Sequence, residues 1–470
     1  MGRMLTSTTE LSARVVSHVA ETTFDRLSPE VVSVTKAALL DALGVMLAAT
    51  SLGEGSRAFT ELALLAGGTP ASTLLGSRVK VPAASAALAN GALAHALDFE
   101  DAHDAAAIHP NAAGIPAALA LAEATAPVSG RRLLTALAIG CDLACRLRLA
   151  LEEDPSDAGW YPPPILGGIG ATAATASLLG LDAPACLDAL SLALCQVTCS
   201  GELKRSPHSD VRAVRDAFPA QAAVNSALLA QRGVRGFDHP LEGDAGFFAL
   251  YAHGHYDEAV ITKDLGERFE GEHLSFKPWP SCRGTHPFVE AALYLREAHG
   301  VVPDEIDSVV CTGGPILEML VDPRAQKLRP ATAIDAKFSL PFTTAAALSL
   351  GEVTLGTFAP EMLVDERILA LASRVEFITD QAARGPEAAT SGMLSLRTRT
   401  STWTKTVTHP YGSPQNPMSA EQLTNKFLDC ARVAAVAPDE DSLRRIVDAV
   451  MHLEELDDVG SSLMGIFAER

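Results

Sequence analysis

The densest group of polar side chains lies in the segment ALDFEDAHDAAAIHPNAAG, directly after an apolar stretch. Within twelve residues it holds two histidines and four acids: Asp98, Glu100, Asp101, His103, Asp104 and His109. His109 and Pro110 precede another apolar stretch, which predicts that His109 lies near a helix N-terminus, where the helix dipole can tune the pKa of the imidazole. Asp98 ends the preceding predicted helix and could orient a neighbouring imidazole. This pattern favours general acid–base chemistry.

Two other interpretations of this segment stay open. A metal site made of Asp98, His103 and His109 is conceivable, but the spacing fits no standard coordination motif, so it ranks below acid–base use. A loop can also be this polar for no reason beyond solvation.

A second group of polar residues lies in SFKPWPSCRGTHPFVEAAL, within ten residues that lead into a predicted helix. Its members are Lys277, Cys282, Arg283 and His286. The cations could bind a carboxylate, with arginine as a bidentate donor and lysine as a point charge. Because Cys282 adjoins Arg283, we expect its thiol to have a lowered pKa and to serve as a nucleophile or an acid. The alternative is a solvated surface loop in which Thr285 caps the helix.

A third group is basic and stands out in an acidic chain. It comprises Lys204, Arg205, His208, Arg212 and Arg215 in GELKRSPHSDVRAVRD, although any charged connector would have a similar composition. Tyr161, in GWYPPPILGG, could act as an acid or a hydrogen-bond donor, or could simply pack its ring in a turn. The sequence has no GxGxxG after a strand, no Walker loop, no HExxH and no GxSxG, so redox, phosphoryl-transfer and metalloprotease functions lack support.

Composition limits the remaining function classes. The 470 residues include 57 acidic and 37 basic side chains, a net charge of −20, which argues against binding to nucleic acid or to anionic lipid. Hydrophobic residues at 48% with aromatics at only 5% favour close-packed helices in a soluble protein. We see no signal peptide and no membrane span. The pairs Cys141/Cys145 and Cys195/Cys199 are expected to be small buried thiols in a reducing compartment, the cytosol.

The elements that must position these residues change in type along the chain. Residues 1–265 predict successive helices, with Ser28 as an N-cap followed by Pro29. Residues 266–408 mix predicted helices with β-branched runs, EIDSVVCTG, SRVEFITD and LSLRTRTSTWTKTV, and predict an α+β unit. Residues 409–470 return to helix, where Ser419 and Gln422 form a capping box. The simplest arrangement is a mostly α protein, with a large helical domain built from both chain ends and a smaller α+β domain inserted.

The motifs taken together resemble the MmgE/PrpD family. In chain order they are LANGALAHALDFEDAH…HPNA, GGIGATAATASLLGLD, HPLEGDAGFF, FKPWPSCRGTH, DAKFSLPF and NPMSAEQLTNKF. The resemblance runs from about residue 10 to 460. It implies an all-helical domain with a smaller α+β lid, a homodimer, and cofactor-independent chemistry on a di- or tricarboxylate between the two domains. Activities in the family include 2-methylcitrate dehydration, cis-aconitate decarboxylation and iminodisuccinate epimerisation.

The resemblance also carries over to individual positions. Asp98 and His109 match the active-site Asp and His of the family, and Lys277 and His286 match its FKPxP…H segment. Four positions depart from the decarboxylase pattern, with Tyr161 and Cys282 at histidine positions, Arg215 at a lysine position and Ala102 at a threonine position. These departures favour a dehydratase or an epimerase over a decarboxylase, and Tyr161 resembles the epimerase-like branch.

The resulting hypothesis is an enzyme that moves a proton at a carbon next to a carboxylate. The predicted catalytic set is Asp98, His109, Tyr161, Lys277 and Cys282, and the predicted substrate-binding set is His103, Lys204, Arg215, Arg283 and His286. No metal and no cofactor are expected, and preorganised cations would meet the developing negative charge. We therefore predict a positive pocket, formed by Lys204, Arg215, Lys277 and Arg283, within a negative protein. The alternative is a non-catalytic carboxylate-binding or scaffold protein of the same fold.

Overall fold

Helices dominate the chain, as the Ala- and Leu-rich composition predicts. The computed structural model describes residues 10–125, 127–206, 208–383 and 385–469, so residues 1–9, where no signal peptide is expected, lie outside the described part. Up to residue 265 the helices are α1 (Leu11–Glu21), α2 (Pro29–Leu52), α3 (Ser56–Ala66), α4 (Ala83–Ala94), α5 (Asn111–Ala124), α6 (Gly130–Leu149), α7 (Pro162–Leu179), α8 (Ala183–Leu194), α9 (Val211–Val214), α10 (Ala217–Gln231), α11 (Phe247–Ala252) and α12 (Glu258–Thr262).

The remaining helices flank a sheet and then close the chain. They are α13 (His286–His299), α14 (Arg324–Leu328), α15 (Ala333–Lys337), α16 (Leu340–Leu350), α17 (Pro360–Leu363), α18 (Glu366–Ala372), α19 (Ala420–Arg432), α20 (Glu440–Met451) and α21 (Gly465–Ala468). The capping predictions are confirmed. The Ser28 hydroxyl accepts from the Val31 amide, and the Ser419–Gln422 capping box is formed in both directions.

In the part of the chain that the structure describes, eight strands form three small sheets. The strands are β1 (Ser72–Leu74), β2 (Val79–Val81), β3 (Ala102–His103), β4 (Leu274–Ser275), β5 (Ile306–Gly313), β6 (Val375–Thr379), β7 (Gly392–Thr398) and β8 (Thr402–Val407). The four-stranded sheet has the order β6-β5-β7-β8, in which only β5 and β6 run parallel. The three predicted β runs are confirmed, although LSLRTRTSTWTKTV is a hairpin of two strands. The expectation of helices alone before residue 265 is wrong at β1, β2 and β3, which are too short to show a period.

Small residues allow the central helices to approach closely. A Cβ on Gly170 of α7 would lie 2.4 Å from the Gly140 carbonyl oxygen of α6, and one on Gly140 would lie 2.7 Å from the Gly170 carbonyl oxygen. The two helices therefore pack backbone against backbone, which only glycine permits here.

The core joins both ends of the chain. One apolar cluster contains Leu43 of α2, Ala118 of α5, Phe427 of α19 and Ile446 of α20. A second cluster packs α13 and α16 against the four-stranded sheet, with Phe288 and other buried side chains between them. The division into a helical domain and an inserted lid domain stays a prediction.

The burial of α2 and of the cysteines bears on two sequence predictions. Helix α2 is long and apolar enough to cross a membrane, yet 72% of its most apolar window is buried inside the protein, as in a core helix. Cys141 and Cys145 are buried thiols, as expected. That expectation is wrong for Cys195, which is exposed, because it follows the last turn of α8.

Candidate active site

The polar segment after α4 begins with a tight turn, and buried lysines donate hydrogen bonds to its carbonyl oxygens. Three consecutive carbonyl oxygens in the turn each accept a hydrogen bond from a buried ammonium group: Lys337 to Leu97 (2.6 Å), Lys277 to Asp98 (2.9 Å) and Lys426 to Phe99 (2.7 Å). Asp98 has a φ of 48°, a left-handed conformation that is unfavourable for most side chains. The three lysines, which come from distant parts of the chain, compensate for that strain.

Asp98 and Lys277 form a fully buried ion pair beneath the turn. The Lys277 Nζ lies 2.6 Å from Asp98 Oδ1, and both side chains have no measurable exposure. A buried charge is tolerated when it is paired and hydrogen-bonded, and Lys277 has both a carboxylate and a carbonyl as acceptors. Neither residue borders the large cavity described below.

His109 lies just before α5 with a defined orientation. Its Nδ1 is 2.9 Å from the Asp101 carbonyl oxygen and 3.1 Å from Glu100 Oε1, both of which only accept. The proton must therefore sit on Nδ1, leaving Nε2 unprotonated, 3.6 Å from Asp98 Oδ1. Burial lowers the pKa of His109 well below its ordinary value, so the imidazole is neutral near pH 7.

His95 and Glu100 extend this arrangement inward. Glu100 Oε1 also makes a very short contact with His95 Nδ1, so one carboxylate oxygen serves both imidazoles. The two imidazole rings lie 4.8 Å apart, and burial also lowers the pKa of His95. His95 and Glu100 are not among the residues predicted from the sequence to be catalytic or substrate-binding, although both lie in the motif LAHALDFED. The spacing of His95 three residues before Asp98 is the signal that could have identified them.

Four side chains in this segment have the donor types of a metal site. The ligand atoms of His95, Asp98, Glu100 and His109 lie within 4.8 Å of one another. The Lys277 ammonium already neutralises Asp98 at hydrogen-bond distance, which disfavours adding a divalent cation.

The metal site considered from the sequence, which included His103, is not assembled. His103 Nδ1 accepts from the Ala106 amide at 3.0 Å, and its Nε2 lies 3.6 Å from Glu270 Oε2. The neighbouring His103 imidazole is the main influence that lowers the pKa of the Glu270 carboxyl to about 2. His103 therefore turns away from the Asp98 group, because β3 pairs with β4 next to Glu270.

A cavity of about 280 Å³ opens in front of His109. Six of the ten predicted site residues line it: His103, His109, Tyr161, Lys204, Cys282 and Arg283. The pairing of β3 with β4 brings the first polar segment against the second. The Ser275 hydroxyl donates to the Asp104 carboxylate at 2.7 Å, although 171 positions separate these two residues in the sequence. Apolar residues, including Leu317, Leu320 and Phe338, complete the wall. Asp98, Arg215, Lys277 and His286 lie behind the lining.

Tyr161 lies at the N-cap of α7 between two cations. The Lys204 Nζ is 5.5 Å from the centre of the tyrosine ring, and the Arg215 guanidinium carbon is 5.0 Å from it. Arg215 is buried and lies 3.4 Å from Asp216, so its charge is partly compensated. Lys204 lines the cavity, and burial lowers the pKa of its ammonium. Arg215 thus supports Tyr161 from behind the cavity lining, whereas Lys204 is part of that lining.

Arg283 is held by several acceptors. Its Nε donates to Asp104 at 3.1 Å, and its Nη1 donates to the Tyr411 carbonyl at 2.9 Å. The same Nη1 lies 3.1 Å from His286 Nδ1, while His286 Nε2 is 3.1 Å from the Ser281 carbonyl oxygen. His286 therefore carries its proton on Nε2 and orients Arg283, and it does not line the cavity.

The expected low pKa of Cys282 is wrong. Burial raises the pKa of this thiol, with a further increase from the charge of Asp98, and these effects exceed the opposing influence of Lys277. The neighbouring Arg283 is directed toward Asp104 and does not activate the sulfur. Cys282 therefore borders the cavity as a neutral thiol.

The fold and the site together define a class of protein: a mostly helical chain in which a neutral histidine and basic side chains, Lys204 and Arg283, border a cavity with a largely apolar wall. The chain belongs to the MmgE/PrpD family, because the model of the MmgE/PrpD N-terminal domain matches residues 13–259 and that of the C-terminal domain matches residues 279–453.

The curated relatives of the chain include two kinds of lyase. The chain is 26% identical to the cis-aconitate decarboxylases of Mus musculus and Homo sapiens, over 97% of its own length and 92% and 93% of theirs. It is 27% identical to the 2-methylcitrate dehydratase of Escherichia coli (strain K12), over 65% of each chain.

Proposed function

We propose that this protein is a cofactor-independent lyase that removes a proton from a carbon next to a carboxylate of a small di- or tricarboxylate. The observation that carries the proposal is His109, a neutral imidazole on the wall of a 280 Å³ cavity with its Nδ1–H committed to Glu100 and Asp101. Its Nε2 is therefore the basic atom available to a bound substrate. Names of the relatives, a decarboxylase and a dehydratase, support the lyase class.

The proton transfer creates two opposite charges that the site can stabilise. Nε2 of His109 takes the proton from carbon and becomes an imidazolium, next to the carboxylates of Glu100 at 3.1 Å and Asp98 at 3.6 Å. The electron pair left on carbon delocalises into the substrate carboxylate as an enediolate. Lys204, on the cavity wall, would meet that charge. Arg283 would add only its positive charge from the cavity wall, because Asp104, the Tyr411 and Pro410 carbonyl oxygens and His286 already occupy its N–H groups.

In a dehydration, the hydroxyl on the adjacent carbon leaves in the next step. The electron pair forms the new double bond, and the leaving oxygen takes a proton from an acid to depart as water. Tyr161 is the candidate acid, because its phenol lines the cavity and lies at the N-cap of α7. The neutral thiol of Cys282 is a second donor on the same cavity.

Decarboxylation and epimerisation are the main alternatives to dehydration. Decarboxylation is favoured by the near full-length match to cis-aconitate decarboxylases, whereas Tyr161, Arg215, Cys282 and Ala102 depart from that pattern and favour dehydration. Epimerisation would need a second acid–base group opposite His109, a role open to Tyr161. We also expect a cytosolic homodimer.

The test follows protons and carbon together. The protein is incubated in D₂O with citrate, 2-methylcitrate, cis-aconitate and iminodicarboxylates, and NMR records deuterium exchange, loss of water and release of carbon dioxide. His109→Gln should reduce turnover by at least about 100-fold, because general base catalysis contributes that much. The control is His452→Gln, an exposed histidine of the surface region after α20. Silence of the wild type across the panel, with ligand-induced thermal stabilisation, would instead indicate a carboxylate-binding protein.

A further inference from the structure

Arg212, in the short helix α9, is a buried cation that has no counter-charge among the described residues. Its relative exposure is 3%, and its Nε and Nη2 atoms have no hydrogen-bond partner among the described residues. A buried charge normally has both an ion-pair partner and filled hydrogen bonds, since leaving either unmade is costly. Arg212 therefore has an unpaired charge and unused donors that an anionic ligand would satisfy.

The other buried cations near the cavity do have acceptors. Lys277, Arg215 and Arg283 each lie within ion-pair distance of a carboxylate. Lys327 donates to the Phe338 carbonyl at 2.8 Å, and Lys337 donates to the Leu97 carbonyl at 2.6 Å. Arg212 differs from all five, so its lack of a partner is not a general property of this region.

Arg212 lies next to the cavity, in contact with a residue of its wall, although its own side chain is not part of the lining. Its guanidinium carbon lies 3.4 Å from the centre of the Phe338 ring, and Phe338 forms part of the cavity wall. The positive charge of Arg212 also lowers the pKa values of Lys204 and Cys282, which both line the cavity. The aromatic ring covers one face of the guanidinium, and the N–H groups lie in its plane, where an acceptor can approach.

We infer that Arg212 binds a second carboxylate of the substrate, at the Phe338 side of the cavity, away from the carbon that faces His109. The inference rests on the proposed function and names the residue that would hold the carboxylate remote from the reacting carbon. A planar guanidinium offers two parallel N–H donors that match one carboxylate, and the bound anion would supply the counter-charge that the protein does not. Lys204 would share this anion, because it lines the cavity and, besides burial, the nearby charge of Arg212 lowers the pKa of its ammonium.

The experiment measures binding of unreactive acids by titration calorimetry. Propane-1,2,3-tricarboxylate has no hydroxyl to lose and serves as the polycarboxylate probe, and propionate serves as the monocarboxylate. Arg212→Met should weaken the tricarboxylate about 10- to 100-fold, as expected for a lost charge-assisted pair, and leave propionate within about two-fold. The matched control is Arg205→Met, an exposed arginine of the same segment, which should leave both affinities unchanged.

Stability separates ligand binding from a structural role. Because an uncompensated buried cation is replaced by an apolar side chain, Arg212→Met should leave the urea midpoint of the free protein unchanged or raise it, while the stabilisation by tricarboxylate is lost. A lower midpoint with unchanged affinity would overturn the inference. Arg212→Lys keeps the charge but loses the paired donors, and wild-type affinity for the tricarboxylate in this variant would refute bidentate binding. If the wild type binds neither acid, the proposed function itself fails; if it binds both and Arg212→Met matches it, only the role of Arg212 fails.

Discussion

Glu100 is predicted to set both the tautomer and the basicity of His109, and Glu100→Gln tests this. In the wild type, Glu100 Oε1 is 3.1 Å from His109 Nδ1 and also contacts His95 Nδ1. Its negative charge raises the pKa of His109 against the larger, opposite effect of burial. Glutamine keeps the shape but removes that charge, and its amide can present either an acceptor or a donor to the imidazole.

The size of the effect follows from the interaction that is lost. Glu100 and His109 form an ion pair only when His109 becomes an imidazolium, and a close contact of this kind with a charged group contributes about 1.5–3 kcal/mol. Because about 1.4 kcal/mol corresponds to a tenfold change in rate, kcat should fall about 10- to 150-fold, with KM changed by less than about three-fold. The acidic limb of the pH–rate profile should move to lower pH, since the imidazolium loses a stabilising charge.

The assay is steady-state turnover of the substrate found by NMR, measured from pH 5 to pH 9. The control is Glu123→Gln, another buried carboxylate, whose oxygens accept from the Thr73 amide at 2.6 Å and hydroxyl at 2.7 Å, away from the cavity. It should affect stability without moving the pH limb. A Glu100→Gln variant with kcat within two-fold of wild type, or with a reduced kcat and an unmoved limb, would refute the assigned role.

Two further predictions concern the buried charges around the turn. Lys277→Met should destabilise the fold by about 3–5 kcal/mol in urea unfolding, because Asp98 keeps a buried charge without its partner. Adding Asp98→Asn should recover part of this loss of stability. A double variant that is no more stable than Lys277→Met would contradict the prediction. Burial raises the pKa of Asp101 to about 8, so the folded protein holds a proton that the unfolded chain releases near pH 4. The free energy of unfolding therefore falls as the pH rises between these two values, by at most about 1.4 kcal/mol per pH unit. Asp101→Asn, which keeps the acceptor for Asn111, should therefore flatten the stability profile and be more stable than wild type above pH 8; equal slopes in the two proteins would disprove this assignment.

Local signals in the sequence were sufficient for the elements but not for the contacts between them. The caps at Ser28 and Ser419 and the three β runs could be predicted, since capping and alternation depend on neighbouring residues. The β3–β4 pairing could not, because each strand has two residues and the partner lies far along the chain. This pairing is what places His103 beside Glu270 rather than beside Asp98.

Distance along the chain also hid the lysines that support the turn. Lys337 and Lys426 lie in the motifs DAKFSLPF and NPMSAEQLTNKF, yet nothing local shows that they reach the carbonyls of Leu97 and Phe99. The Cys282 expectation went wrong for a related reason. A neighbouring arginine in sequence suggests an activated thiol, but burial and the direction of the guanidinium decide the pKa, and both are tertiary properties.

The predicted positive pocket depends on which cations stay uncompensated. Of the four cations named from the sequence, Lys277, Arg215 and Arg283 are paired with carboxylates, and only Lys204 lines the cavity without such a partner among the described residues. In the site proposed above, the charge available to a ligand would therefore come from Lys204 together with Arg212, which the sequence placed only in a basic cluster. The three paired cations instead support the structure: Lys277 supports the turn, Arg215 supports Tyr161, and Arg283 supports the second polar segment. A chain of net charge −20 can thus offer an anion site, because the fold leaves a few buried positive charges for the ligand to neutralise.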